Sequence, residues 1–129
     1  MTASVRLITF DLDDTLWDVK PALVAADAAQ WQYLTTRFPN VALRELADQQ
    51  AATLRAEILA EQPTLAHQIS QFREVFIYQL LLRSGQATTD AAEAASEAFA
   101  AFYAERHKVA LFEDAAIVLS TLSQDYLLG

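Results

Sequence analysis

Residues 5–10, Val5-Arg6-Leu7-Ile8-Thr9-Phe10, carry apolar or β-branched side chains on both alternating faces. That pattern predicts a strand buried in a parallel sheet. It turns abruptly to acid at Asp11-Leu12-Asp13-Asp14-Thr15, which would put the acids at the carboxyl edge, where open α/β sheets bind ligands. From Asp18 the period becomes helical. Asp18 as N-cap, with Pro21 in the first turn, predicts a helix to about Arg37. Phe38-Pro39-Asn40 breaks it, and Asn40 is placed to cap a second helix to about Gln62. Pro63-Thr64 opens a third, which runs to Ser84 and closes at Gly85, a natural C′ residue. Asp90 and Glu93 form a capping-box pattern for a fourth helix, to about His107. Ile69, Phe72, Phe76 and Leu80, and then Ala95, Phe99, Phe102, Tyr103 and Arg106, make stripes expected to face inward in a four-helix bundle. A short helix from Glu113 to about Ser123 and an opening strand, Tyr126-Leu127-Leu128-Gly129, complete the pattern.

Composition narrows the picture further. The chain has 129 residues, 53% hydrophobic and 20% charged, and its mean hydropathy is +0.14. Such a chain buries a core rather than staying disordered. With Gly 2 and Pro 3, it lacks the turn residues of a many-stranded barrel. A net charge of -8 argues against nucleic acid or an anionic membrane surface as partner. The absence of cysteine removes disulfides, thiol nucleophiles and thiolate metal sites. The N-terminus, Met1-Thr2-Ala3-Ser4-Val5-Arg6, lacks a leader pattern, and no apolar run approaches the roughly 20 residues of a membrane span. A soluble, cytoplasmic protein is expected.

One strand and the start of another cannot satisfy their backbone groups as a covered parallel sheet. Either the partner strands come from another copy or the chain forms part of a longer protein, and the second is the expectation. Taken alone, it should self-associate through its incomplete sheet edge.

Asp11-x-Asp13-x-Thr15 carries the chemistry. Carboxylates spaced i, i+2 just past a strand can converge on one cation and one reacting group. An Asp can attack phosphorus and form an aspartyl-phosphate that water hydrolyses. A second carboxyl can protonate the leaving oxygen and then deprotonate the water. Mg²⁺ suits such an oxygen-ligand site and offsets the charge between phosphate and carboxylate.

The run Leu7-Ile8-Thr9-Phe10-Asp11-Leu12-Asp13-Asp14-Thr15-Leu16-Trp17-Asp18 resembles the first motif of the haloacid dehalogenase-like (HAD) hydrolase superfamily. The helical segment after it resembles that superfamily's C1-type cap. The resemblance implies an α/β fold: a Rossmann-like core, incomplete here, with a mostly helical four-helix cap insert. It divides the chain into residues 1–18, the first strand and catalytic loop; 19–108, the cap; and 109–129, the return to the core. It implies Mg²⁺-dependent phosphoryl chemistry, with Asp11 as nucleophile and metal ligand. Asp13 would be general acid/base, its carbonyl also touching the metal. Thr15 would stabilise the loop and the orientation of Asp13, and backbone N–H groups near Leu12 would face the phosphate. Leu16-Trp17-Asp18 falls at the family's cap hinge. The family's second, third and fourth motifs have no counterpart in the chain, so the likeness covers about the first half of a family member.

Other residues receive plainer readings. Asp14 is expected to be an exposed loop acid or local cap, and Trp31 and Phe38 core aromatics. Trp17 is the better candidate to line a pocket. His67 and His107, forty positions apart, are not expected to bind metal, and Glu93 and Glu97 should lie on a solvated face. Lys20 and Lys108 are poor substitutes for the missing third-motif base, and Glu113-Asp114 reads as a helix start. The expected activity is phosphatase action on a small phosphorylated metabolite. The alternatives are a haloacid dehalogenase-type hydrolase, against which Asp13 argues, and a non-catalytic helical interaction module.

Overall fold

The computed structural model describes residues 3–129; Met1 and Thr2, on which the reading of the N-terminus begins, lie outside the described residues. Strand β1 (Leu7–Ile8) is followed by α1 (Lys20–Arg37), α2 (Leu43–Glu61), a 3₁₀ turn (Pro63–His67) and α3 (Ile69–Arg83). Then come α4 (Thr88–Arg106), α5 (Ala115–Leu122) and β2 (Leu127–Leu128). The strands pair in parallel, Leu7 with Leu127 and Ile8 with Leu128. Phe10 N–H donates to the Gly129 carbonyl at 2.9 Å, which extends the pairing towards the acidic loop.

Helix α1 packs on α4, α4 on α3 and α3 on α2, with a core centred on Leu34, Leu54, Ile77, Leu80 and Leu81. Ala22 and Ala26 of α1 and Ala91, Ala94, Ala95 and Ala98 of α4 are buried. Small side chains at these positions let the two backbones approach closely, and α1 follows an i, i+4 stripe through Gln30 to Leu34. Trp31 and Phe38 are half-buried against this core, as expected. Gly85 adopts φ +94°, with Gly85 N–H donating to Leu82 O and Gln86 N–H to Leu81 O, both at 3.1 Å. That is a Schellman closure of α3.

Several expectations are corrected. The strand is shorter than residues 5–10, and its faces are not buried: Val5, Leu7 and Leu127 are 66%, 56% and 70% exposed. With a single partner strand, nothing in the described residues covers those side chains. The predicted third helix is two elements, because Gln68, at φ -118° and ψ 71°, leaves the helical region between the 3₁₀ turn and α3. Ile69, at the first position of α3, is therefore 77% exposed rather than inward, and Tyr103 of α4 is 49% exposed. Asn40 and the Asp90/Glu93 pair cap nothing: α2 and α4 begin after Ala42 and Ala87 without a side-chain cap. Asp90 sits inside the first turn, where its charge meets the helix dipole. Glu93 instead pairs with Arg37 across the helices at 3.3 Å, and Glu97 accepts hydrogen bonds from Tyr33 and Arg37. Asp18 does accept the Lys20 amide at 3.0 Å, although Val19 holds the N-cap position.

The segments leaving for and returning from the helices run side by side. Trp17 and Leu111 form an antiparallel bridge, and Phe112 N–H donates to Leu16 O at 2.8 Å. Both ends of the helical insert thus meet at one point beside the acidic loop. Among the described residues, no helix is long and apolar enough to cross a membrane.

Candidate active site

The loop after β1 is a tight backbone turn. Thr15 and Leu16 N–H groups both donate to Leu12 O, at 3.2 and 3.0 Å, and Asp14 N–H donates to Trp17 O at 2.7 Å. Asp14 supplies the left-handed residue, φ 61°, a conformation Asp tolerates better than most L-residues. Its Oδ1 accepts the Val19 amide at 3.3 Å, so it acts as the local cap that ties the turn to the start of α1.

This turn aims Asp13 across the chain. Oδ1 accepts from the Trp17 indole Nε1 at 2.9 Å, and Oδ2 accepts from Arg106 Nη2 at 2.5 Å. Both oxygens are thus oriented by a donor, one from the loop itself and one from the far end of α4. Asp11 is exposed, and its carboxylate accepts no side-chain hydrogen bond among the described residues. It is free to meet a cation or an electrophile.

Asp11, Leu12, Asp13 and Trp17 form one wall of a cavity of about 980 Å³; α3 and α4 supply the other with Arg73, Phe99, Phe102, Tyr103, Arg106 and His107. Arg73 is anchored within the helices. Its guanidinium lies 3.8 Å from the Phe102 ring centroid and donates to the buried Gln30 Oε1 at 3.0 Å. Burial lowers the pKa of Arg73 from its ordinary value, and Asp27 at 3.8 Å opposes that only in part. His107 stands edge-on to Tyr103, with ring centroids 4.1 Å apart.

The sequence-predicted residues are thus partly assembled. Asp11, Leu12, Asp13 and Trp17 share the cavity, whereas Thr15 lines a smaller one of about 250 Å³ with Phe10 and α5. Asp13 takes its orientation from Trp17 and Arg106 instead of the Thr15 side chain. Arg106 is the residue that sequence reasoning missed, being assigned to an inner helical stripe. No local signal pointed to it: one turn after Phe102 it continues the helical stripe, and its partner Asp13 lies 93 residues away.

As to metal, Asp11 and the carbonyl of Asp13 offer the hard oxygen donors that Mg²⁺ prefers, so the donor chemistry fits. Among the described residues, no group of three or more His, Cys, Asp or Glu side chains could hold an ion.

No family model matches the chain. It is 27% identical over 105 residues to the 5-amino-6-(5-phospho-D-ribitylamino)uracil phosphatase YigB of Escherichia coli, covering 81% of this chain and 43% of that protein. It also superposes on the crystal structure of a 2-haloacid dehalogenase from Pseudomonas syringae pv. Tomato with a TM-score of 0.83 and 34% identity. That match covers 98% of this chain and 54% of the other. The chain spans about half the length of the relatives it matches.

Proposed function

Because the chain belongs to the haloacid dehalogenase-like hydrolase superfamily, we propose that it carries the nucleophile, the general acid/base and the helical cap of a Mg²⁺-dependent phosphatase acting on a small phosphomonoester. The observation that carries this reading is the pair Asp11 and Asp13. One carboxylate is free and exposed, the other is oriented by two donors, and both face one cavity beside the helices.

In this reading, an Asp11 oxygen attacks phosphorus and forms an aspartyl-phosphate as the ester oxygen departs. Asp13 delivers a proton to that oxygen, then takes one from the water that attacks the same phosphorus and frees Asp11. Trp17 holds Asp13 at the required angle through its indole N–H. Bound Mg²⁺, held by Asp11 and the Asp13 carbonyl, would supply charge neutralisation between phosphate and carboxylate. Residues 19–108 act as the cap, and residues 1–18 and 109–129 belong to the core, in the cell's soluble phase.

The likeness to a haloacid dehalogenase keeps a second hydrolytic reaction in view, in which Asp11 would attack carbon and displace halide. Asp13 favours the phosphatase, since halide needs no proton to leave. The discriminating experiment incubates the complete hydrolase with 4-nitrophenyl phosphate and Mg²⁺, and separately with 2-chloropropanoate. Phosphate release that is lost in Asp11→Asn supports the proposal. Chloride release without phosphate release overturns it.

A further inference from the structure

We propose that the helical insert carries a second binding site, for small hydroxylated molecules bearing one primary ammonium, in a cavity of about 480 Å³ between the 3₁₀ turn, α3 and α4. This cavity shares no lining residue with the one at Asp11 and Asp13. Helix α3 serves both with different faces. Ile69, Ser70 and Arg73 line the catalytic side, whereas Gln71, Glu74, Val75 and Tyr78, spaced i, i+3, i+4 and i+7, line the other.

Charge selects one end of the ligand. Among the described residues, the half-buried carboxylates are Asp13, Asp27, Glu74 and Glu105. Asp13 pairs with Arg106, Asp27 with Arg44 and Arg73, and Glu105 with Lys108. Glu74 has no ion pair and no side-chain hydrogen bond among the described residues, and no Lys, Arg or His lines its cavity. A carboxylate partly withdrawn from water gains most from a cation that brings its own hydrogen-bond donors. With no second acid and no imidazole beside it, Glu74 suits a monovalent ammonium rather than a divalent metal. The neutral lining selects the rest. Gln62, Gln68 and Gln71 supply amide donors and acceptors, and Thr64 and Tyr78 supply hydroxyls. Thr64 and the three glutamines are exposed and form the rim, while the buried Leu65 and Ala95 form an apolar floor. Hydroxyls meeting the rim and C–H groups meeting the floor are the two kinds of surface that a sugar ring presents. An amino sugar combines that ring with the ammonium that Glu74 calls for.

The test follows backbone amide shifts of the complete hydrolase by NMR, at mildly acidic pH where the amines are charged. The probes are glucosamine, glucose and cyclohexylammonium. Glucose replaces the ammonium by a hydroxyl, and cyclohexylammonium keeps the charge on a ring without hydroxyls. Glucosamine should bind with a millimolar Kd, the range open to so small a ligand. It should bind at least about fivefold more tightly than either analogue, the scale of a charge-assisted contact partly open to water. The shifts should cluster on the 3₁₀ turn, residues 71–78 and residues 92–95. Glu74→Gln should weaken glucosamine to the level of glucose. Ala92→Trp, which fills the exposed mouth and keeps the charge, should abolish binding, and Asp11→Asn should leave it unchanged. Equal affinity of the wild-type protein for glucosamine and glucose, or no shift with either, overturns the proposal whether or not a variant folds. Equally tight binding of cyclohexylammonium overturns the assignment to hydroxylated ligands. Loss of glucosamine binding in Asp11→Asn overturns the second site by moving the ligand to the catalytic cavity. No turnover is read, so a failure here leaves the phosphatase reading untouched.

Discussion

Asp13→Asn separates what this residue does for the fold from what it does for the chemistry. The amide keeps an oxygen for the Trp17 indole but turns an NH₂ towards Arg106, which removes the ion pair at 2.5 Å. That pair is partly open to solvent, with side chains 26% and 43% exposed. The stability loss is therefore held to about 0.5–1 kcal/mol, in line with measured exposed pairs. Turnover should fall much further, by roughly 10²–10⁴, because the amide can neither donate the proton nor accept it. In barrier terms that is about 3–5 kcal/mol. Urea denaturation gives the first quantity and steady-state phosphate release the second. In a double-mutant cycle with Arg106→Gln, the combined variant should be no less stable than either single change allows, since the two changes remove one shared contact. A phosphatase rate within a few-fold of wild type would refute the acid/base assignment. A loss of several kcal/mol would refute the view that the pair is peripheral to folding.

Three further outcomes test the helical architecture. Leu80→Ala, at a fully buried position, should cost about 2–5 kcal/mol in urea denaturation. Gly85→Ala meets no atom within 4 Å but must hold φ +94°, so thermal denaturation should show a loss of about 1–2 kcal/mol from the backbone alone. Burial and the hydrogen bond to Glu97 raise the Tyr33 pKa, while Arg37 opposes them. A raised folded pKa means that stability is fully present below the ordinary tyrosine value of about 10 and is lost as pH rises through the folded value. Stability measured across that alkaline window should fall less steeply in Tyr33→Phe.

What was legible in the sequence is what adjacent residues decide. The change from Phe10 to Asp11 marks the strand end and the acidic loop without any tertiary information, and Gly85 marks the end of α3 through its backbone freedom. Helix starts were less legible. Asn40, Asp90 and Glu93 had the right chemistry for caps, yet backbone geometry put the starts elsewhere and Arg37 claimed Glu93 from another helix. Burial of β1 failed as an expectation because it depends on elements that must lie over the strand, and its own composition cannot supply them. Arg106 was illegible for a related reason. At its helical spacing, it looks like a stem covering the bundle, and its partner Asp13 is 93 residues away in sequence. Contacts of that range follow from where the insert leaves and returns, beside Trp17 and Leu111.

The central claim is that Asp11 is the group that takes the phosphoryl. The complete hydrolase should be quenched during turnover of 4-nitrophenyl phosphate with Mg²⁺, then treated with borohydride, which reduces an acyl phosphate to an alcohol. Peptide mass spectrometry should find homoserine at position 11, and none in enzyme quenched without substrate. Turnover with aspartate intact at position 11 and the reduced residue elsewhere would contradict the account.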